Sequence, residues 1–234
     1  MNTQNYTVIN ALTDIIAAPV RALTEVKERT SWLWWPLLIS IALPIVGNLY
    51  YVNWVDFEWL VNETIRTLPP DSPPESAQAV RDFMSPQQSM IFGVIGIVVI
   101  VFLVYVIQAA YLHLANKVST GAEIRFGQWF AFSAWTAFPG IFNAIAMFVV
   151  IFTAASNQLG QDSLIPLSIN SLIIGAEPGE PWFTWGNSLT VVNFWMLGLM
   201  SIGYRIWTGA SMVASTIIAC LPWALIFGIW AALI

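Results

Sequence analysis

Gly209, Ala210 and Ser211 begin like a Gly-x-Ser-Gly nucleophile motif, which places a serine where a neighbouring base can take its proton. Met212 stands where the second glycine belongs, and the chain has a single histidine, His113, so the motif lacks support. Alone, His113 cannot build a metal site, which needs three or four converging ligands. A proton relay would need an intramembrane carboxylate beside it, and none of the thirteen Asp and Glu falls within a long apolar stretch. Cys220 is the only cysteine, which excludes an intramolecular disulfide and a multi-cysteine metal site. No HExxH, aspartyl dyad or glycine-rich phosphate loop occurs, and the acidic stretch Asp56 to Asp82 lacks calcium-loop spacing. These residues predict a protein that is not an enzyme and carries no cofactor.

What remains is polar chemistry inside apolar surroundings. Gln108, Asn143 and Asn193 are the side chains that hydrocarbon cannot satisfy, so each must face another helix or a cavity. Bonding between helices accounts for them, and a shared polar site between the third and fourth spans is the sharper alternative. Ser211, Ser215 and Ala219 recur at a spacing of four, where small side chains let helix backbones approach. This stripe reads as helix packing.

The elements that position these residues follow from composition. Of 234 residues, 58% are hydrophobic and 9% charged, against roughly 25% charged in soluble domains, which marks a polytopic membrane protein. A helix needs roughly 20 apolar residues to cross a bilayer. Five spans are predicted, at about 32–55, 90–114, 129–155, 189–206 and 209–232, giving an all-α, five-helix bundle over 31–234. The last two form a hairpin, with Arg205 and Trp207 at headgroup level in its turn. Pro44 and Pro139 fall inside spans and predict kinks. Between Ser156 and Ser188 the run SLIPLSINSLIIG is too short to span and reads as interfacial or re-entrant.

Residues 1–30 form a separate N-terminal segment. Val8, Leu12, Ile15, Ile16, Val20 and Leu23 recur at helical spacing, an amphipathic pattern that Pro19 should kink or restart. One reading lays it on the cytoplasmic surface with Arg21, Lys27 and Arg29 on anionic lipid; the other has it cap the bundle. The start MNTQNYTVIN lacks the pattern of a cleavable signal peptide.

Charge sets orientation. Six of the eight Lys and Arg lie before the first span or in the two short turns, and nine of the thirteen acids lie in the two long loops. Positive charge stays on the cytoplasmic side, so the N-terminus is expected there and the C-terminus opposite.

Several separated pieces resemble the Yip (Ypt-interacting protein) family in its bacterial form. Pro19 precedes an amphipathic stretch, and Trp35 and Pro36 open the first span. Gly121 to Pro139, GAEIRFGQWFAFSAWTAFP, resembles the family's turn and third span; Leu167 to Leu172 and Val192 to Ser215 resemble its last outer segment and final hairpin. The resemblance implies five helices, a cytoplasmic N-terminus and no established reaction. The chain lacks the long N-terminal region and DLYGP-like motif of the eukaryotic members, so their association with Rab-type GTPases does not carry over. The expected function is a non-enzymatic scaffold or adaptor of a bacterial inner membrane. Its expected partners are the lipid bilayer and other membrane proteins or a second copy of the chain, with no nucleic acid. The alternative is a small-solute or ion transporter using a site near Asn143 and Asn193.

Overall fold

Thr7 opens the first helix because its side chain and that of Asn10 cap each other's backbone N–H groups, satisfying donors that a helix start leaves open. The computed structural model describes residues 6–68 and 72–234. The residues MNTQN of the signal-peptide reading, and Pro69 to Asp71 of the proline-rich break, lie outside them.

Helix α1 runs Val8–Ala17 and α2 runs Pro19–Glu28. Pro19 takes the first position of α2, where its missing N–H costs nothing, so the predicted restart occurs at that residue. A 3₁₀ turn at Thr30–Leu33 leads into α3, Trp34–Trp54, which contains Pro44. Two short helices follow, α4 (Phe57–Arg66) and α5 (Glu75–Phe83), then the 34-residue α6 (Pro86–Ser119). The predicted third span comprises α7 (Phe126–Thr136), a 3₁₀ turn at Phe138–Gly140 and α8 (Ile141–Thr153). Pro139 lies in that turn, which accounts for the interruption. The chain ends with α9 (Pro181–Ser188), α10 (Val191–Thr208) and α11 (Met212–Leu233). No strand forms among the described residues; Ser168 and Thr190 make one isolated antiparallel bridge.

Four helical stretches are long and apolar enough to cross a membrane: Thr30–Trp54, Pro86–Ser119, Phe126–Thr153 and Met212–Leu233. Helix α10 is not among them. It is 18 residues long, but Asn193, Trp195, Tyr204, Arg205 and Trp207 dilute its apolar character. The expected fifth span therefore exists as a helix without standing out as one by hydropathy.

The chain divides into two compact units. The first gathers residues 6–41, 100–140 and 192–229, so α1 and α2 belong to it. Its centre is aromatic. Trp129 stacks on Tyr204 at 5.5 Å, and Phe132 meets Trp207 edge-on at 4.9 Å, all four rings buried. Leu23 of α2 is buried in the same unit. Gly203 permits this approach, because a Cβ there would lie 2.6 Å from the Phe132 ring and 3.3 Å from Leu23. A positive φ of 76° at Gly209 turns the chain from α10 into α11, a conformation that glycine adopts freely.

The second unit gathers 42–99, 141–191 and 230–234. Tyr51, Val52, Val55, Leu60 and Ile151 form its core. The Tyr51 hydroxyl donates to the Leu159 carbonyl at 2.7 Å, and the Asp56 carboxylate caps α4 by accepting from the Trp59 N–H at 3.1 Å. Asn170 ties a tight loop: its Nδ2 donates to the Ala176 carbonyl, its Oδ1 accepts from the Ala176 N–H, and its own carbonyl accepts from Gly175. The segment expected to be interfacial thus contains a single π-helical turn, Asn170–Ile174, closed by Gly175 at positive φ.

Candidate functional site

The residues Val104, Ile107, Gln108 and Tyr111 recur at i, i+3, i+4 and i+7 on α6, and Ala219, Pro222, Trp223 and Ile226 recur in the same way on α11. That spacing puts each set on one helix face. With Met200 of α10 and Phe227, the two faces line a cleft of about 350 Å³ in the first unit. Ala219 and Pro222 are small enough to leave the space open, while Trp223 and Phe227, stacked at 5.4 Å and 15°, form an aromatic wall.

Pro222 also shapes the cleft through the backbone. Proline has no N–H, so the carbonyl four residues earlier, on Ile218, loses its helical donor. The Tyr111 hydroxyl takes that place and donates to the Ile218 carbonyl at 2.7 Å, bonding α6 to α11. An orphaned carbonyl in hydrocarbon costs several kcal/mol by the general rule, roughly the size of one unmet backbone group.

Gln108 is the polar side chain in the cleft wall. Its Nε2 donates to Thr136 Oγ1 at 3.4 Å, and that hydroxyl in turn donates to the Phe132 carbonyl at 3.0 Å. Behind the cleft, Gln108, Thr136 and Asn193 line a space of about 10 Å³ together with Met196 and Trp223. A space of that size is near the lower limit for one water molecule. The structure thus brings Gln108 and Asn193 to one cavity. Asn143 lies in the second unit, where its Nδ2 donates to Thr190 Oγ1 at 3.4 Å and its Oδ1 is buried.

The basic residues of α2 and its C-cap are engaged within the protein. Lys27 Nζ donates to the Trp207 carbonyl at 2.9 Å, and the Trp207 indole N–H donates to the Leu23 carbonyl at 2.9 Å. This reciprocal pair fastens α2 to the last turn of α10, with Trp207 only 2% exposed. Arg21 lies 3.6 Å from Asp14 and over the Tyr6 ring, and Arg29 pairs with Glu25 and lies over Trp32. Arg205 is exposed. In the small-residue stripe, Ser215 and Ala219 are buried, whereas Ser211 is exposed and its hydroxyl accepts from the Ala214 N–H at the start of α11. His113 meets the edge of Phe126 at 6.5 Å. Among the described residues no group of three or more His, Cys, Asp or Glu could hold a metal.

Tyr111, Thr136, Pro222 and Trp223 were not singled out by residue type. Pro222 carried a readable signal, since a proline inside an apolar helix announces an orphan carbonyl.

The Yip1 domain matches residues 13–233, nearly the whole chain. The chain belongs to the Yip1 family. As a Yip1-family protein it is a multi-pass membrane protein with several apolar helices, and the match spans α2 through α11, both sides of the cleft included. No curated protein and no solved structure matches this Yip1-family chain.

Proposed function

We propose that the protein is a non-enzymatic scaffold or adaptor of a bacterial inner membrane, acting through lipid and protein contacts. In this reading α10 completes five spans, the N-terminus is cytoplasmic and the C-terminus lies on the other side. The observation that carries the reading is the chemistry of the cleft: its wall is apolar, and the polar groups beside it are spent on holding helices together. Such a surface offers contact to hydrocarbon or to an apolar helix, and offers little to a hydrated solute. The docking of α2 on α10 supports the N-terminal helices as a cap on the bundle. Crosslinking in intact membranes followed by native mass spectrometry tests the reading. A second copy or a membrane partner crosslinked along α6 or α11 is expected, and a lipid-free monomer with no crosslinked partner overturns it.

The space shared by Gln108, Thr136 and Asn193 favours a second reading, a small-solute or ion pathway. Proteoliposome flux separates the two. Flux abolished by Asn193→Leu would support the pathway, and unchanged permeability across an ion and metabolite panel would remove it.

A further inference from the structure

We propose that the cleft between α6 and α11 seats one acyl chain of an anionic phospholipid, whose headgroup lies at the end of the first unit where Lys117 and Arg205 are exposed. The proposal rests on the reading of these helices as membrane spans and names what their surface contacts. Both lining helices are long and apolar enough to cross a bilayer, so hydrocarbon is the solvent at the cleft mouth. Water filling about 350 Å³ would need polar partners, and here the Tyr111 hydroxyl is committed to Ile218 and the Gln108 amide nitrogen to Thr136. A flexible apolar chain meets no such requirement.

Length and charge select the lipid. From Val104 to Tyr111 the lining face of α6 covers about 10 Å, and Lys117 lies about 9 Å further along, at 1.5 Å per residue. A headgroup level with Lys117 therefore leaves the first methylenes to cover the last turns of α6 and delivers the middle of the chain to the cleft. Ser119 Oγ and the Tyr204 hydroxyl bond at 2.7 Å, which brings Arg205, the next residue, to the same end of the unit. Arg21, Lys27 and Arg29 are engaged internally, whereas among the described residues neither Lys117 nor Arg205 enters an ion pair. Two exposed cations at that end of the unit and an apolar slot in its wall complement an anionic lipid.

The test uses the full chain in mild detergent, titrated with phosphatidylglycerol or phosphatidylcholine and followed by native mass spectrometry. The wild type should retain one phosphatidylglycerol in preference to phosphatidylcholine. Ile107 and Ile226 are 58% and 62% exposed, so Ile107→Trp with Ile226→Trp fills the slot from its mouth without entering the core. That pair should weaken the adduct about tenfold, which is 1.4 kcal/mol. Lys117→Gln with Arg205→Gln should abolish the preference between the two lipids. Equal retention of both lipids by the wild type, or an adduct untouched by the tryptophans, overturns the proposal. If the tryptophan pair fails to fold, a phosphatidylglycerol with a mid-chain diazirine decides on the wild type: labelling concentrated on 219–227 supports the slot, and labelling spread evenly over the lipid-facing helices overturns it. No phosphatidylglycerol adduct on the wild type, with its partner crosslinks intact, would sink the lipid site and leave the scaffold reading standing.

Discussion

Tyr111 and Gly203 each perform one task that a single substitution can isolate. Tyr111→Phe removes the donor to the Ile218 carbonyl while keeping the ring, and should destabilise the protein by about 1–2 kcal/mol in thermal or denaturant unfolding. In a Pro222→Ala background the helix supplies its own N–H, so the same change should cost much less, and a double-mutant cycle reads the difference. Gly203→Ala pushes a methyl into the Phe132 ring, and overpacking of this kind costs about 1–3 kcal/mol. That Gln108 and Asn193 would turn inward was readable, because an amide in an apolar run has few acceptable surroundings, and both line one small space. Thr136 was not, since a threonine can bond its own helix, as this one does to Phe132, and betrays no need for a neighbour. Nor could the sequence pair Asn143 with Thr190, because that contact depends on a turn of backbone around Ser168 that no periodicity announces.

At the level of elements, the restart at Pro19 was readable because proline fits a first helical turn and no later one. The docking of α2 was not, because its energy comes from Leu23 and Trp207, whose partners are 184 residues apart. Trp207→Phe keeps the aromatic bulk and removes the indole donor. Hydrogen exchange should then quicken across Val8–Glu28 while α11 stays protected, and unchanged exchange in α2 would show that packing alone fastens it. The loop around Asn170 is a comparable case in the second unit. Its apolar residues predict an interfacial or re-entrant segment, and within it an asparagine that bonds to its own chain at both amide atoms tightens the backbone into a π turn. Asn170→Ala should expose residues 167–189 to faster exchange and cost about 1–3 kcal/mol.

For the whole molecule, the class was readable from composition and the membrane stretches from apolar length, because hydrocarbon thickness imposes one scale on every span. Helix α10 escapes that scale. Its Tyr204 and Trp207 serve an aromatic core and Arg205 is exposed near its end, and such residues lower hydropathy without shortening the helix. Orientation is testable in a Cys220→Ala background. In the proposed orientation Ser76→Cys should react with an impermeant maleimide added outside intact cells, and Thr120→Cys only after the membrane is opened. The opposite pattern would reverse the proposed topology. The clasp between α2 and α10 also sets an order of events. Lys27 and Leu23 leave the ribosome long before Trp207, which is 180 and 184 residues behind them. At bacterial and eukaryotic elongation rates of about 5–20 residues per second, that gap lasts roughly ten to forty seconds. Throughout it, Leu23 and Lys27 have no Trp207 to meet. The clasp is therefore a contact that only a nearly finished chain can close, and it reports completion of α10 as well as docking of α2.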